Sequence, residues 1–157
     1  MRFRADAEGI SVHAVAGTYV VMLAMNATPE AKDGLLGFAI HRTDKTENEQ
    51  YWLNGMRTFE TVYPNPPEGA LVSTRDHPIQ DFLWSDFTAK PHHHYVYKVV
   101  PVAGKPKNLE YRTSVDVAVE TEKVDEGGHS VWFNRGVIGS QVLCAGVQQS
   151  RSTEIGR

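Results

Sequence analysis

Between Ser114 and Glu120 the chain alternates without a break. Val115, Val117 and Val119 fall on one side, and Ser114, Asp116, Ala118 and Glu120 on the other. Successive side chains of a strand point to opposite faces, so this period of two gives one face to a core and the other to solvent. A helix would scatter the same valines around its axis. Other β-rich runs lie upstream. "ISVHAVA" (10–16) and "TYVVMLAMNA" (18–27) flank Gly17, and the second is apolar on both alternating faces. That pattern predicts a central strand covered on both sides. "LLGFAIHR" (35–42) sets Leu36, Phe38 and Ile40 against Gly37, Ala39 and His41, which predicts a half-buried strand. "TPEAKDG" (28–34) reads as a polar loop, "TDKTENEQ" as a hydrophilic turn and "YWLNG" as a short return strand.

The pattern weakens from Gly55 to Pro78. "YPNPPEGA" (63–70) carries three prolines and a glycine, residues that cannot build an interior strand, so a long loop is expected here. Order returns at "IQDFLWSDF", at "HYVYKVVPV" and in the alternating valine segment, with "AGKPKN" as a hairpin-like connection. No long amphipathic helical pattern precedes residue 136. Seven or so strands without alternating helices predict an all-β chain, an antiparallel β-sandwich with a long loop insertion.

Composition removes several function classes. Sixteen Lys and Arg against nineteen Asp and Glu leave a net charge of −3, without the basic excess that holds a polyanion. The single cysteine, Cys144, makes neither an internal disulfide nor a cysteine-rich zinc framework. "YVVMLAM" (19–25), the longest apolar segment, is too short to span a bilayer. Asp6 and Glu8 spoil the basic leader of a signal peptide, so a soluble, cytoplasmic protein is expected. No G-x-x-x-x-G-K or G-x-G-x-x-G occurs, and no cofactor is expected. Trp52, Trp84 and Trp132 are candidates for a sugar-stacking platform, although core or interface roles fit such residues better.

Three consecutive histidines, His92 to His94, stand inside "TAKPHHHYVYKVVPVAG". On a strand His92 and His94 share a face, and His-x-His is a metal-ligand arrangement. A third ligand would have to come from elsewhere; His13, His41, His77 and His129 are scattered, and no H-E-x-x-H accompanies them. Solvated loop histidines are therefore the preferred reading, with His92 and His94 the metal candidates. Around them, Pro91 leads by four residues to Tyr95, with Tyr97 and Val99 following at spacing two. This pattern resembles the fibronectin type III signature, and "GFAIHR" (37–42) resembles the third strand of that family. The resemblance, which reaches about residue 121, implies that Tyr95 opens the sixth strand and bonds its hydroxyl to upstream backbone. It places the histidines in a corner loop. The family's usual second-strand tryptophan is replaced by Met25 or Asn26, and Trp84 is the candidate to supply that bulk.

A second resemblance covers about Ile79 to Gln141. "HPIQDFLWSDFTAKP", "YVYKVVPVAGKPKNL" and "VWFNRGVIGSQ" are similar to the N-terminal region of bacterial phospholipase D-like proteins. There a β-sandwich precedes the catalytic body, and Phe133, Asn134, Arg135 and Gly136 match the phrase at the junction. The resemblance implies a sandwich over 1–125, a junction and linker over 126–157, and a C-terminal catalytic domain as partner. The family's catalytic unit is His-x-Lys with a later Asp, used twice, and none of the seven histidines here has Lys two positions on. The chain is thus expected to be a non-catalytic accessory domain, with residues 148–157 poorly ordered. The rival readings are a stand-alone module binding protein or carbohydrate and a histidine-dependent metal-binding protein.

Overall fold

The computed structural model describes residues 1–125; the junction phrase Phe133–Gly136, Trp132, His129 and the tail lie outside the described residues. Eleven strands and one helical turn follow in order. They are β1 (Arg2–Ala7), β2 (Ile10–Ala16), β3 (Val21–Ala27), α1 (Pro29–Lys32), β4 (Leu35–Asp44), β5 (Glu49–Trp52), β6 (Asn54–Gly55), β7 (Val72–Ser73), β8 (Leu83–Asp86), β9 (His94–Lys105), β10 (Asn108–Tyr111) and β11 (Val115–Glu120). The chain is all-β and its pairings are antiparallel. One sheet has the order β1-β2-β3-β8. A second has the order β10-β9-β4-β5, with β11 also on β9, and β6 and β7 form a small third sheet.

The two larger sheets bury one common core. Val12 and Ala14 of β2 and Val21 and Leu23 of β3 pack with Phe38 and Ile40 of β4, Tyr95, Tyr97 and Val99 of β9, and the three valines of β11. The period of two that marks Val115, Val117 and Val119 is thus the period of burial. Registers are set locally by turn chemistry. Ala7 pairs with Ile10, and the two residues between them, Glu8 and Gly9, both have positive φ (46° and 79°), as a two-residue hairpin turn of matching twist requires.

Several expectations need correction. The strand covered on both faces is β4, not β3. Along β3, Met22 and Ala24 are half-buried and Asn26 is exposed. On β4, Phe38 and Ile40 face the main core, while Ala39 joins Val100 and Val102 in a second cluster closed by Trp52 and Leu109. Residues brought from β5 and β10 cover that outer face, which no local pattern announces. The polar loop at 28–34 contains a helical turn, because Thr28 caps it by accepting from the Ala31 N–H (3.3 Å) and Pro29 fits the first position. The N-terminal residues 2–7 form an edge strand that the sequence reading left unassigned. The long excursion after Gly55 returns through β7, and Ile79 pairs with Phe38. Gly37 (φ 155°) permits that approach, since a Cβ there would lie 2.4 Å from the Ile79 carbonyl oxygen.

At the start of β9, the fully buried Tyr95 accepts a hydrogen bond at its hydroxyl from the Lys90 N–H, 2.9 Å away and five residues upstream. Burial, partly opposed by that bond, pushes its pKa up to about 12. Tyr95→Phe keeps the ring and orphans the Lys90 donor. It is expected to lower stability by about 1–2 kcal/mol in urea unfolding, with an unchanged m-value.

Candidate functional site

Two edges of the sheets lie open on the same side of the molecule. Strand β8 ends the four-stranded sheet and β5 ends the five-stranded one. Between them and the excursion after Gly55 runs a cleft of about 860 Å³, lined by apolar side chains that include Met56, Leu71, Leu83, Trp84 and Phe87. Leu71 is 62% and Leu83 53% exposed, unusually open for leucines that share one concavity.

A buried polar network adjoins this cleft. Arg42 of β4 and Asp86 of β8 are 5% and 1% exposed, and Nη1 of Arg42 donates to Oδ2 of Asp86 at 2.6 Å. The same nitrogen donates to Thr88 Oγ1 (2.8 Å), Nη2 donates to the Tyr51 hydroxyl, and the Tyr97 hydroxyl donates to Asp86 Oδ2 (2.8 Å). Oδ1 of Asp86 accepts from the N–H and the hydroxyl of Thr88 (2.8 and 2.6 Å). The guanidinium carbon lies 4.8 Å from the Tyr51 ring centroid and 5.0 Å from that of Tyr95. Burial works against the Arg42 charge, but Asp86 overrides it and holds the guanidinium above the usual arginine range. Burial and the Asp86 carboxylate keep Tyr97 protonated, well above the usual tyrosine range. Among the described residues Arg42 Nε is the buried side-chain atom without a hydrogen-bond partner. Asp86, Thr88 and Tyr51 also line the cleft. The sequence reading passed over this network. Its signal is a charged residue in each of two β-patterned segments, Arg42 after "GFAIH" and Asp86 after "FLWS".

The histidine corner is the second candidate. His92 has φ 56° and its N–H donates to the Glu122 carbonyl (3.2 Å). The His93 N–H donates to Thr121 Oγ1 (2.8 Å), whose hydroxyl donates in turn to the Lys90 carbonyl (2.7 Å). The loop is therefore sewn to the chain leaving β11. The left-handed turn at His92 separates the three rings. His93 turns inward, stacks on Tyr95 and places Nδ1 2.7 Å from Asp44 Oδ2. Oδ1 of Asp44 accepts from the N–H groups of Thr46 (2.9 Å) and Glu47 (3.2 Å). Glu47 pairs with Lys90 and lies 3.9 Å from His93 Nε2. Asp44, Glu47 and His93 thus offer ligand atoms within 4.8 Å of one another. The chemistry is that of a structural tie, because both Asp44 oxygens already accept hydrogen bonds and Lys90 supplies the cation for Glu47. His92 and His94 are exposed, and both approach Glu120.

Of the scattered histidines, none among the described residues joins this corner. His13 is exposed on β2, His41 packs edge-on to Trp52, and the buried His77 accepts from the Phe59 N–H through Nδ1 (3.2 Å). Pro91 is half-buried, and Tyr97 and Val99 are fully buried in the main core. Trp84 packs partly buried against the main core and Trp52 against the second cluster on the outer face of β4 and β9, so these two serve separate clusters.

Asp86→Ala strands the Arg42 charge in a buried site and is expected to cost about 3–5 kcal/mol in chemical denaturation. Replacing both partners with apolar residues of similar volume should cost far less, which a double-mutant cycle measures. Burial alone would raise the Asp44 carboxyl; hydrogen bonds from His93, Glu47 and Thr46 outweigh it and hold its pKa below the usual carboxylate range. Its folded value lies below its unfolded one, so its stabilisation is complete above about pH 4 and drains away as pH falls through the folded value. Thermal melts from pH 6 downward should show Asp44→Asn converging on the parent protein in acid.

No protein-family model matches the chain, and no curated protein resembles it at a significant level. No helix among the described residues is long and apolar enough to cross a membrane.

Proposed function

We propose that the chain is a fibronectin type III-like β-sandwich that serves as a non-catalytic accessory domain, packing on a phospholipase D-like catalytic body through the cleft between β5 and β8. The observation that carries this reading is the cleft itself. It combines exposed leucines and Phe87 with two free strand edges, and an apolar recess of this kind is best covered by another protein surface. Strand order supports the sandwich. β2-β3-β8 corresponds to strands A, B and E of immunoglobulin-like sandwiches, and β11-β9-β4-β5 to G, F, C and C′. The Tyr95 hydroxyl bonded to Lys90 has the form of their tyrosine corner. That no histidine precedes a lysine at spacing two supports a non-catalytic role. The catalytic partner rests on the resemblance of Ile79–Gln141 to the leading region of that family.

The test begins with the coding sequence adjoining this one, which should encode two His-x-Lys motifs, each with a later Asp. Calorimetric titration of the chain with that catalytic body should give saturable binding, and Leu83→Asp should weaken it at least about tenfold. An adjoining frame without those motifs, or binding indifferent to Leu83→Asp, overturns the assignment. Saturable binding of an unrelated protein at the same cleft would favour a stand-alone binding module.

A further inference from the structure

The corner loop and β11 bring Glu120 beside two histidines, His92 and His94, that stand 28 and 26 positions before it in the sequence. Nδ1 of His92 lies 3.8 Å from Oε1 of Glu120, and Nε2 of His94 lies 3.9 Å from the same oxygen. Both separations are too long for a hydrogen bond. They are a few tenths of an ångström wider than the roughly 3.4 Å between two ligand atoms of a tetrahedral zinc ion with bonds near 2.1 Å. The three sets of ligand atoms do not all lie within 4.8 Å of one another, so binding also requires the two imidazoles to rotate toward each other; the side chains are 58%, 60% and 37% exposed, which leaves room for that rotation.

The backbone beneath them is fixed. Glu120 and His94 are direct partners in the β11–β9 ladder, which sets their side chains on one face. His92 is held by its N–H bond to the Glu122 carbonyl, and its backbone is left-handed, with φ 56°. His93 is committed elsewhere, to Asp44. The third ligand missing from the His-x-His pattern in sequence is thus a carboxylate from the neighbouring strand.

We propose that His92, His94 and Glu120 form a binding site for a divalent transition-metal ion of the zinc class. Two imidazoles and one carboxylate are the donor set that borderline-soft Zn²⁺ accepts, and three protein ligands leave a fourth position open to water or to a group from another molecule. The ion would bridge the corner loop and β11, adding a cross-link to the existing Thr121 contacts.

The test uses zinc chloride and the intact, metal-stripped chain in isothermal calorimetry, with Co²⁺ absorption as a second readout of coordination. One equivalent should bind with micromolar affinity, and Co²⁺ should give visible bands of tetrahedral intensity. His92→Asn, which tolerates the left-handed backbone, His94→Gln and Glu120→Gln should each weaken binding at least about tenfold, with the folded spectrum unchanged. His93→Gln should leave binding intact. Absence of saturable binding below millimolar zinc overturns the proposal. So does binding that survives the first three substitutions, or binding lost with His93→Gln while His92→Asn and Glu120→Gln retain it, which would place the ion at Asp44 and Glu47.

Discussion

The ion pair between Arg42 and Asp86 crosses from one sheet to the other, and the open side of the molecule is organised around it. Hydrophobic contact between sheets is non-directional; it does not by itself fix how far one slides over the other. A buried charge pair does, because its desolvation is offset only while the 2.6 Å contact and its supporting hydrogen bonds persist. Thr88, Tyr51 and Tyr97 supply that support, from the loop after β8, from β5 and from β9. The pair thereby ties the two edge strands, β5 and β8, to the core strands β4 and β9. The apolar cleft lies beside edges that this network ties to the core.

Some of this architecture is visible in the sequence and some is not, for physical reasons. Val115, Val117 and Val119 reveal their strand because one face is buried and the other wet, so burial and sequence share a period. β4 hides its double burial, since its cover comes from Trp52 and Leu109, one a short way ahead in the chain and the other far beyond. β1 alternates Phe3, Ala5 and Ala7 with Arg2, Arg4 and Asp6, but two alanines make too weak an apolar face to stand out. Arg42 and Asp86 each look like an ordinary charge at the end of a strand. Their pairing spans 44 positions and exists only once the sheets meet.

The histidine run shows how little residue type decides alone. Three identical side chains in succession occupy two environments because one backbone angle, the positive φ at His92, precedes a strand whose side chains alternate. His93 becomes part of the interior scaffold on Tyr95 and Asp44, while its neighbours remain in solvent beside Glu120. From sequence the spacing of His92 and His94 is readable. The carboxylate facing them is not, because it belongs to the β11 register.

The neck of the long excursion carries a further implication. Asn54 pairs with Ser73 and Gly55 with Val72, while Thr74 is clamped on β4 through the N–H and carbonyl of Ile40 (3.1 and 3.3 Å). Residues 56–71 therefore hang from a closed gate whose hinges belong to the core. The entropy of closing such a loop rises by about 0.6 kcal/mol for each doubling of its length. Met56, Arg57 and Leu71, which form one wall of the cleft, sit within it. One contact limits how freely that wall can be exchanged: Phe59 within it donates its N–H to the buried His77, so a grafted segment that presents a new recognition surface has to keep a partner for that imidazole.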